Sequence, residues 1–138
     1  MNTPVTIDAS VFVSAFTPSE PAHPQSKAFM LGVREQSIPI IVPFLVLPEI
    51  SAALSRGQNK PELGLAFVQE LRNFPNTTFV DLDDGIATLA VEVAATHRLR
   101  GSDAVYAAVA LRFGAELITL DREQLARLPK VLPVRSPK

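Results

Sequence analysis

The chain has 138 residues, 47% of them apolar and 20% charged, with a formal net charge of −1 and no cysteine. That length suits one ordinary domain burying roughly 65–70% of its unfolded surface, and the composition excludes a disordered polypeptide. A disulfide framework and a thiolate metal site are both excluded, and with only His23 and His97 available any metal falls to oxygen ligands, which favours Mg²⁺ or Mn²⁺.

In chain order, Pro4–Asp8 (PVTID) reads as a short strand that ends at a carboxylate. Val11–Phe16 starts a helix with Ser10 as its N-cap. The stretch Thr17–Gln25 holds three prolines and reads as loop, and helical spacing resumes from Ser26 to about Gln36. Ile38–Val42 is a continuous apolar run bounded by prolines, the pattern of a strand buried on both faces. Phe44–Arg56 is helical with Pro48 in its first turn or kinking it, and Gly57 ends it. Pro61 opens a helix to about Asn73, and Thr77–Leu82 reads as a strand. The helices Asp84–Arg98 and Ser102–Phe113 follow, then the strand Glu116–Leu120, a short helix from Arg122 and a final strand, Val131–Val134.

Strands alternating with helices, apolar without a period of two, predict an α/β fold around a mostly parallel sheet covered on both faces. No repeat, low-complexity tract or linker divides residues 1–138, so a single domain is expected. The longest apolar stretch, Ile38–Pro48, has 11 residues against the roughly 20 that a membrane span needs. No basic residue precedes Lys27, so the charged start of a secretory signal is missing, and the expectation is a cytoplasmic protein. Residues 122–138 carry Arg122, Arg127, Lys130, Arg135 and Lys138 against Glu123, whereas Asp81, Asp83 and Asp84 form an acidic knot. Both patches read equally as solvated surface or as partner contacts.

Four carboxylates stand out. In open α/β sheets ligands bind beyond the carboxyl ends of the strands, and Asp8 and Asp121 each follow a strand there. Asp103 lies in the first turn of its helix, where the dipole favours an anion. Glu49 interrupts an otherwise apolar segment and must find solvent, a partner or a metal. The small residues after it, Ser51, Ala52 and Ala53, are expected to let its helix approach the sheet. Each acid alone has a plain explanation as a cap or first-turn acid. Brought together, like charges a few ångströms apart need a neutraliser, and a divalent cation is the simplest one. Such an ion suits phosphodiester hydrolysis.

The segments TIDASVFVSAF, PFLVLPEISAALSR, LRGSDAVYAAVA and ELITLD, in this order, resemble the PIN domain, and within it the small VapC-like toxins of prokaryotic toxin–antitoxin pairs. The likeness runs from Val5 to about Leu125, and RGSDAVYAAVA followed by LITLD is its most specific part. The resemblance implies a three-layer α/β/α sandwich and an endoribonuclease that holds Mg²⁺ or Mn²⁺ on Asp8, Glu49, Asp103 and Asp121. It also implies cleavage leaving a 5′-phosphate and a 3′-hydroxyl, a homodimer, and a cognate antitoxin whose basic side chain approaches the acids. Ser10 matches a small hydroxyl position supporting the first aspartate, and Thr119 a similar one near the last. In the expected division of work the three aspartates bind the cation directly or through water, and Glu49 contacts it through water or orients the nucleophile. Glu123 matches a position where the family varies and is read as a helix-starting acid.

Carboxylates repel phosphates, so contact with the RNA backbone must come from elsewhere. Arg56 falls seven residues after Glu49, on the same helical face, and Arg98 and Arg100 sit just before Asp103. Each is equally readable as a solvated helix-end arginine. Tyr106, in an alanine-rich helix, reads as core packing, His97 as a surface residue at a helix end, and His23 as incidental. Phe29, Met30 and Val33 share helical spacing, which suits the dimer contact the family implies and core packing alike.

Two rival readings remain. A catalytically silent PIN-like module that binds RNA or protein would keep the fold, although the presence of all four acids argues against it. Among other acid-centred α/β proteins, a phosphatase of the haloacid dehalogenase type needs a second acid two residues after its aspartate, where Ser10 stands. A receiver domain needs a lysine where Arg122 follows the last strand aspartate.

Overall fold

The computed structural model describes residues 3–137, so Lys138 of the basic C-terminal stretch lies outside the described residues, as do the first two positions. Among the described residues five strands, β1 (Val5–Ile7), β2 (Ile40–Pro43), β3 (Thr77–Val80), β4 (Glu116–Ile118) and β5 (Val134–Arg135), form one sheet in the order β3-β2-β1-β4-β5. Every pairing in it is parallel. The helices α1 (Ala9–Phe16), α2 (His23–Glu35), α3 (Val46–Gln58), α4 (Pro61–Arg72), α5 (Asp84–His97), α6 (Gly101–Phe113) and α7 (Arg122–Arg127) flank it in the expected α/β/α arrangement.

The central strands are apolar on both faces because both faces are covered: Val5, Ile7, Ile40, Val42, Leu117 and Ile118 are all buried. Helix α6 is apolar nearly all round, burying Ala104 and Tyr106–Ala110, as a helix enclosed by sheet and neighbours must be. Its alanines bring it against β1, β2 and β4, with α5 packed along it. Helices α1 to α4 form a second group through the pairs α1·α2, α1·α3 and α3·α4.

The chain runs outward from β1 through β2 to β3, then crosses back to place β4 on the other side of β1. The order therefore reverses between β1 and β4, the place where such sheets open a crevice at their carboxyl ends. Register fixes what meets there. Ile7 lies opposite Ile118, and the Asp8 amide donates to the Ile118 carbonyl at 2.9 Å. The segment after β1 and the segment after β4 thus emerge side by side.

Several boundaries differ from expectation, each for a local reason. Helix α1 starts at Ala9 with Asp8 in the N-cap position, so Ser10 is not the cap but lies inside the first turn. Helix α2 begins at His23, inside the expected loop, because a proline in the first helical turn forfeits no hydrogen bond. His23 is not incidental: its Nδ1 lies 2.9 Å from the Ser14 carbonyl and ties α2 to the end of α1. Pro48 sits in the first turn of α3, as expected, and the helix runs past Gly57 to stop where Asn59 adopts the left-handed conformation, φ 53°. The last strand is Val134–Arg135 rather than Val131–Val134. A turn closed by the Val131 amide on the Leu128 carbonyl (2.8 Å) occupies the earlier residues, and Pro133 has no N–H to give the ladder.

The small residues of α3 work differently from expectation. Ser51 and Ser55 face Gly64 of α4, not the sheet: a Cβ on Gly64 would lie 2.7 Å from the Ser51 carbonyl and 2.6 Å from Ser55 Oγ. Close packing of α3 on α4 is what this glycine provides, and it fixes the helix that carries Glu49. Within the acidic knot, Asp83 caps α5 by accepting from the Ile86 amide at 2.8 Å and lies 3.8 Å from Arg112. Among the described residues no helix is long and apolar enough to cross a membrane.

Candidate active site

All four acids singled out from the sequence line one open cleft of about 460 Å³, together with Ser10, Val13, Ala53, Arg100, Ser102 and Leu120. They arrive from four places: Asp8 after β1, Glu49 in the first turn of α3, Asp103 in the first turn of α6, and Asp121 at the N-cap of α7. The segments that follow β1 and β4 meet here because the sheet order reverses between these strands.

Asp8 and Asp103 are each only 6% exposed, and a buried carboxylate needs donors. Asp8 Oδ2 accepts from Ser10 Oγ at 2.8 Å and from Thr119 Oγ1 at 2.9 Å. Ser10 Oγ in turn accepts from the Leu120 amide (3.2 Å) and Thr119 Oγ1 from the Asp121 amide (3.0 Å), which knits the β1 and β4 ends together. Both hydroxyls expected to support aspartates therefore do so, with Thr119 acting on the first aspartate as well as beside the last. Asp103 Oδ1 accepts from Gln124 Nε2, and its Oδ2 from Arg100 Nε, both at 3.0 Å. Asp121 Oδ1 caps α7 through the Gln124 amide, and its Oδ2 accepts from the Arg100 terminal nitrogen, again both at 3.0 Å. Glu49 Oε1 accepts from the Tyr106 hydroxyl at 2.5 Å.

The acids sense one another. Burial lifts the Asp8 carboxyl above its ordinary range, the Ser10 and Thr119 hydroxyls oppose the lift, and the Asp121 charge adds to it. Burial likewise lifts Glu49, opposed by the Tyr106 hydroxyl and reinforced by Asp8 and Asp103. Asp103 is lifted by burial against the pull of Arg100, with Asp121 and Asp8 reinforcing the lift. Tyr106, fully buried beside Glu49, is pushed far up and stays a neutral donor.

As the side chains stand, no three of the described residues are posed together as metal ligands. The Arg100 guanidinium takes one oxygen from Asp103 and one from Asp121, and Tyr106 takes one from Glu49. The donor set is nevertheless oxygen throughout, it is anionic, and it already attracts a cation in Arg100. It suits a hard divalent ion in kind.

Three residues matter more than the sequence suggests. Tyr106 is core, but its hydroxyl reaches Glu49; the clue is its place three residues after Asp103, on the same helical face. Gln124 does not stand out in the sequence. It is fully buried and tethers Asp103, and its position three residues after the capping Asp121 is a helix-start signature. Arg100, a candidate for RNA contact, spans two of the acids. Arg56 lines an adjoining groove that shares Val13 and Ala53 with the cleft. Glu123 lies 3.4 Å from Arg127 one turn on, as a helix-starting acid would.

A parallel α/β/α sandwich with an acidic cleft at the reversal of its strand order defines the class. The chain belongs to the PIN domain family, whose pattern matches residues 5–131. Solved structures with the same fold include FitAcB from Neisseria gonorrhoeae, 16% identical with a TM-score of 0.74, covering 96% of this chain and 97% of that one. VapBC2 from Rickettsia felis, bound to a DNA fragment from its promoter, is 14% identical with a TM-score of 0.73, covering 97% and 98%. VapC20 from Mycobacterium tuberculosis, described as a Sarcin-Ricin loop cleaving toxin, is 18% identical with a TM-score of 0.71, covering 94% and 99%. At these identities the likeness is one of fold. No curated protein matches the chain by sequence.

Proposed function

We propose that this chain is a Mg²⁺- or Mn²⁺-dependent endoribonuclease and the toxin of a toxin–antitoxin pair. The observation carrying this reading is the convergence of Asp8, Glu49, Asp103 and Asp121 on one cleft at the sheet's reversal point. Membership of the PIN family and the fold shared with toxin–antitoxin proteins support it.

In this reading Asp8, Asp103 and Asp121 would hold the cation, directly or through water, and Glu49 would contact it through water or orient the attacking water. When bound, the ion would supply charge stabilisation at the phosphoryl group and lower the pKa of water. The chain's own work is positional. Ser10 and Thr119 fix the Asp8 carboxylate, Gln124 fixes Asp103, and Tyr106 fixes Glu49. Burial and mutual repulsion make the ionised carboxylates costly without an ion, which favours its uptake. The same reading makes residues 1–138 a single cytoplasmic domain that acts as a homodimer, with RNA as substrate and a cognate antitoxin as partner. A labelled RNA cleaved with Mg²⁺ or Mn²⁺, spared with chelator and spared by Asp8→Asn is the expected result. Full activity of Asp103→Asn would remove the assignment.

A second reading, a PIN-like module that binds RNA or protein without cutting, draws on Arg100 filling the space between Asp103 and Asp121. Uptake of Mn²⁺ separates the two.

A further inference from the structure

The cleft carries its own cation. Arg100 Nε lies 3.0 Å from Asp103 Oδ2, and its terminal nitrogen lies 3.0 Å from Asp121 Oδ2. Each oxygen of both acids then has one partner, since Gln124 bonds the second oxygen of each through its side-chain and backbone nitrogens. A divalent ion cannot take either carboxylate on that side without competing with the guanidinium.

The position of Arg100 sharpens the point. It is the N-cap residue of α6, its side chain makes no cap bond, and a cation there faces the positive end of the helix dipole. Helix chemistry favours Ser, Asp or Asn at that position. What favours the arginine is the pair of acids opposite it. Its side chain is nonetheless 69% exposed, so these two ion pairs are shared with water and readily exchanged. Once free, the guanidinium remains attached at the lip of a cleft that otherwise presents carboxylates to a phosphate, and a planar guanidinium suits phosphate oxygens. Arg56 lines the neighbouring groove, and among the described residues lining this cleft the arginine is Arg100.

We propose that Arg100 is an exchangeable internal cation: it neutralises Asp103 and Asp121 in the metal-free protein, yields both to a divalent ion, and then binds an RNA phosphate at the cleft rim. This rests on reading the cleft as a divalent-cation site and adds to it a specific role for one side chain.

The test compares the wild-type chain with Arg100→Gln and Arg100→Lys, first by calorimetric titration with Mn²⁺, then by anisotropy of a labelled single-stranded RNA in Ca²⁺. Removing a solvent-shared competitor tightens the Mn²⁺ Kd by about two- to tenfold in Arg100→Gln, and less in Arg100→Lys, which keeps the charge but not the fork. RNA affinity falls in the same order. Unchanged or weaker Mn²⁺ binding in both variants, with binding intact in the wild type, overturns the exchange and leaves the metal site standing. Tighter Mn²⁺ binding with unaltered RNA affinity overturns the phosphate contact. No uptake of Mn²⁺ by any of the three overturns the metal site and the exchange together.

Discussion

The Tyr106 hydroxyl donates a hydrogen bond to Glu49 at 2.5 Å, joining two residues 57 positions apart and tying α6 to α3 beside the cleft. The tyrosine is fully buried, whereas Glu49 is exposed enough to turn to water instead. A hydrogen bond to a charged group contributes about 1.5–3 kcal/mol. Tyr106→Phe is expected to cost about 1–2 kcal/mol, because Glu49 recovers some hydration. Chemical denaturation measures that loss. RNA cleavage falls with it, while the double variant Tyr106→Phe, Glu49→Gln cleaves no less than Glu49→Gln alone.

The lifted Asp8 carboxyl predicts a pH dependence. A group whose pKa rises on folding holds its proton more tightly in the folded chain, so the stability it contributes is present below the unfolded pKa and is lost as pH rises through the raised value. The Asp8→Asn variant cannot ionise at this position and escapes the loss. Without metal the two proteins should melt alike below about pH 4, and the variant should melt progressively higher than wild type as the pH is raised toward neutrality. Mg²⁺ should close the gap by stabilising the wild type. Thermal melts across pH, with and without Mg²⁺, read both effects.

Gln124 is fully buried, and its side-chain oxygen has no partner among the described residues. Replacing it by Met removes one good bond to Asp103 and one unpaired acceptor, changes of opposite sign. Gln124→Met should therefore shift stability by less than about 1 kcal/mol while weakening Mn²⁺ binding and cleavage, because Asp103 loses its tether. Loss of stability without loss of Mn²⁺ binding would make Gln124 a packing residue only.

At Gly64 a methyl group would meet the Ser51 carbonyl at 2.7 Å. Alanine favours helix by up to about 1 kcal/mol over glycine, but forcing two helix backbones apart costs about 1–3 kcal/mol. Gly64→Ala is expected to destabilise by about 1–2 kcal/mol and to lower cleavage as α3 shifts with Glu49. Urea denaturation gives the first quantity and an RNA assay the second.

The parts legible in the sequence are those governed by local pattern. ELITL announces a buried parallel strand because burial on both faces leaves no alternation, and PVTID a strand by its β-branched residues. The acids that end or follow them, Asp8 and Asp121, fall at the cleft because it opens at the strands' carboxyl ends. Boundaries are less legible where prolines are permissive, as at Pro24 within the first turn of α2, or obstructive, as at Pro133 before β5. The supporting shell is hidden for another reason. Tyr106 sits in an alanine-rich stretch whose pattern reports burial and says nothing of where one hydroxyl points. Arg100 reaches an acid 21 positions away through a long side chain, a contact that depends on how α6 packs against the strand before Asp121.

The central claim is that Asp8, Glu49, Asp103 and Asp121 act as one divalent-cation site. Titration of the purified chain with Mn²⁺, followed by electron paramagnetic resonance, tests it most directly beside Asp8→Asn, Asp103→Asn and Asp121→Asn. The account predicts a saturable site in the wild type, weakened in each variant while the fold persists. A wild type that leaves Mn²⁺ free in solution, or variants that bind it as tightly as the wild type, would contradict it.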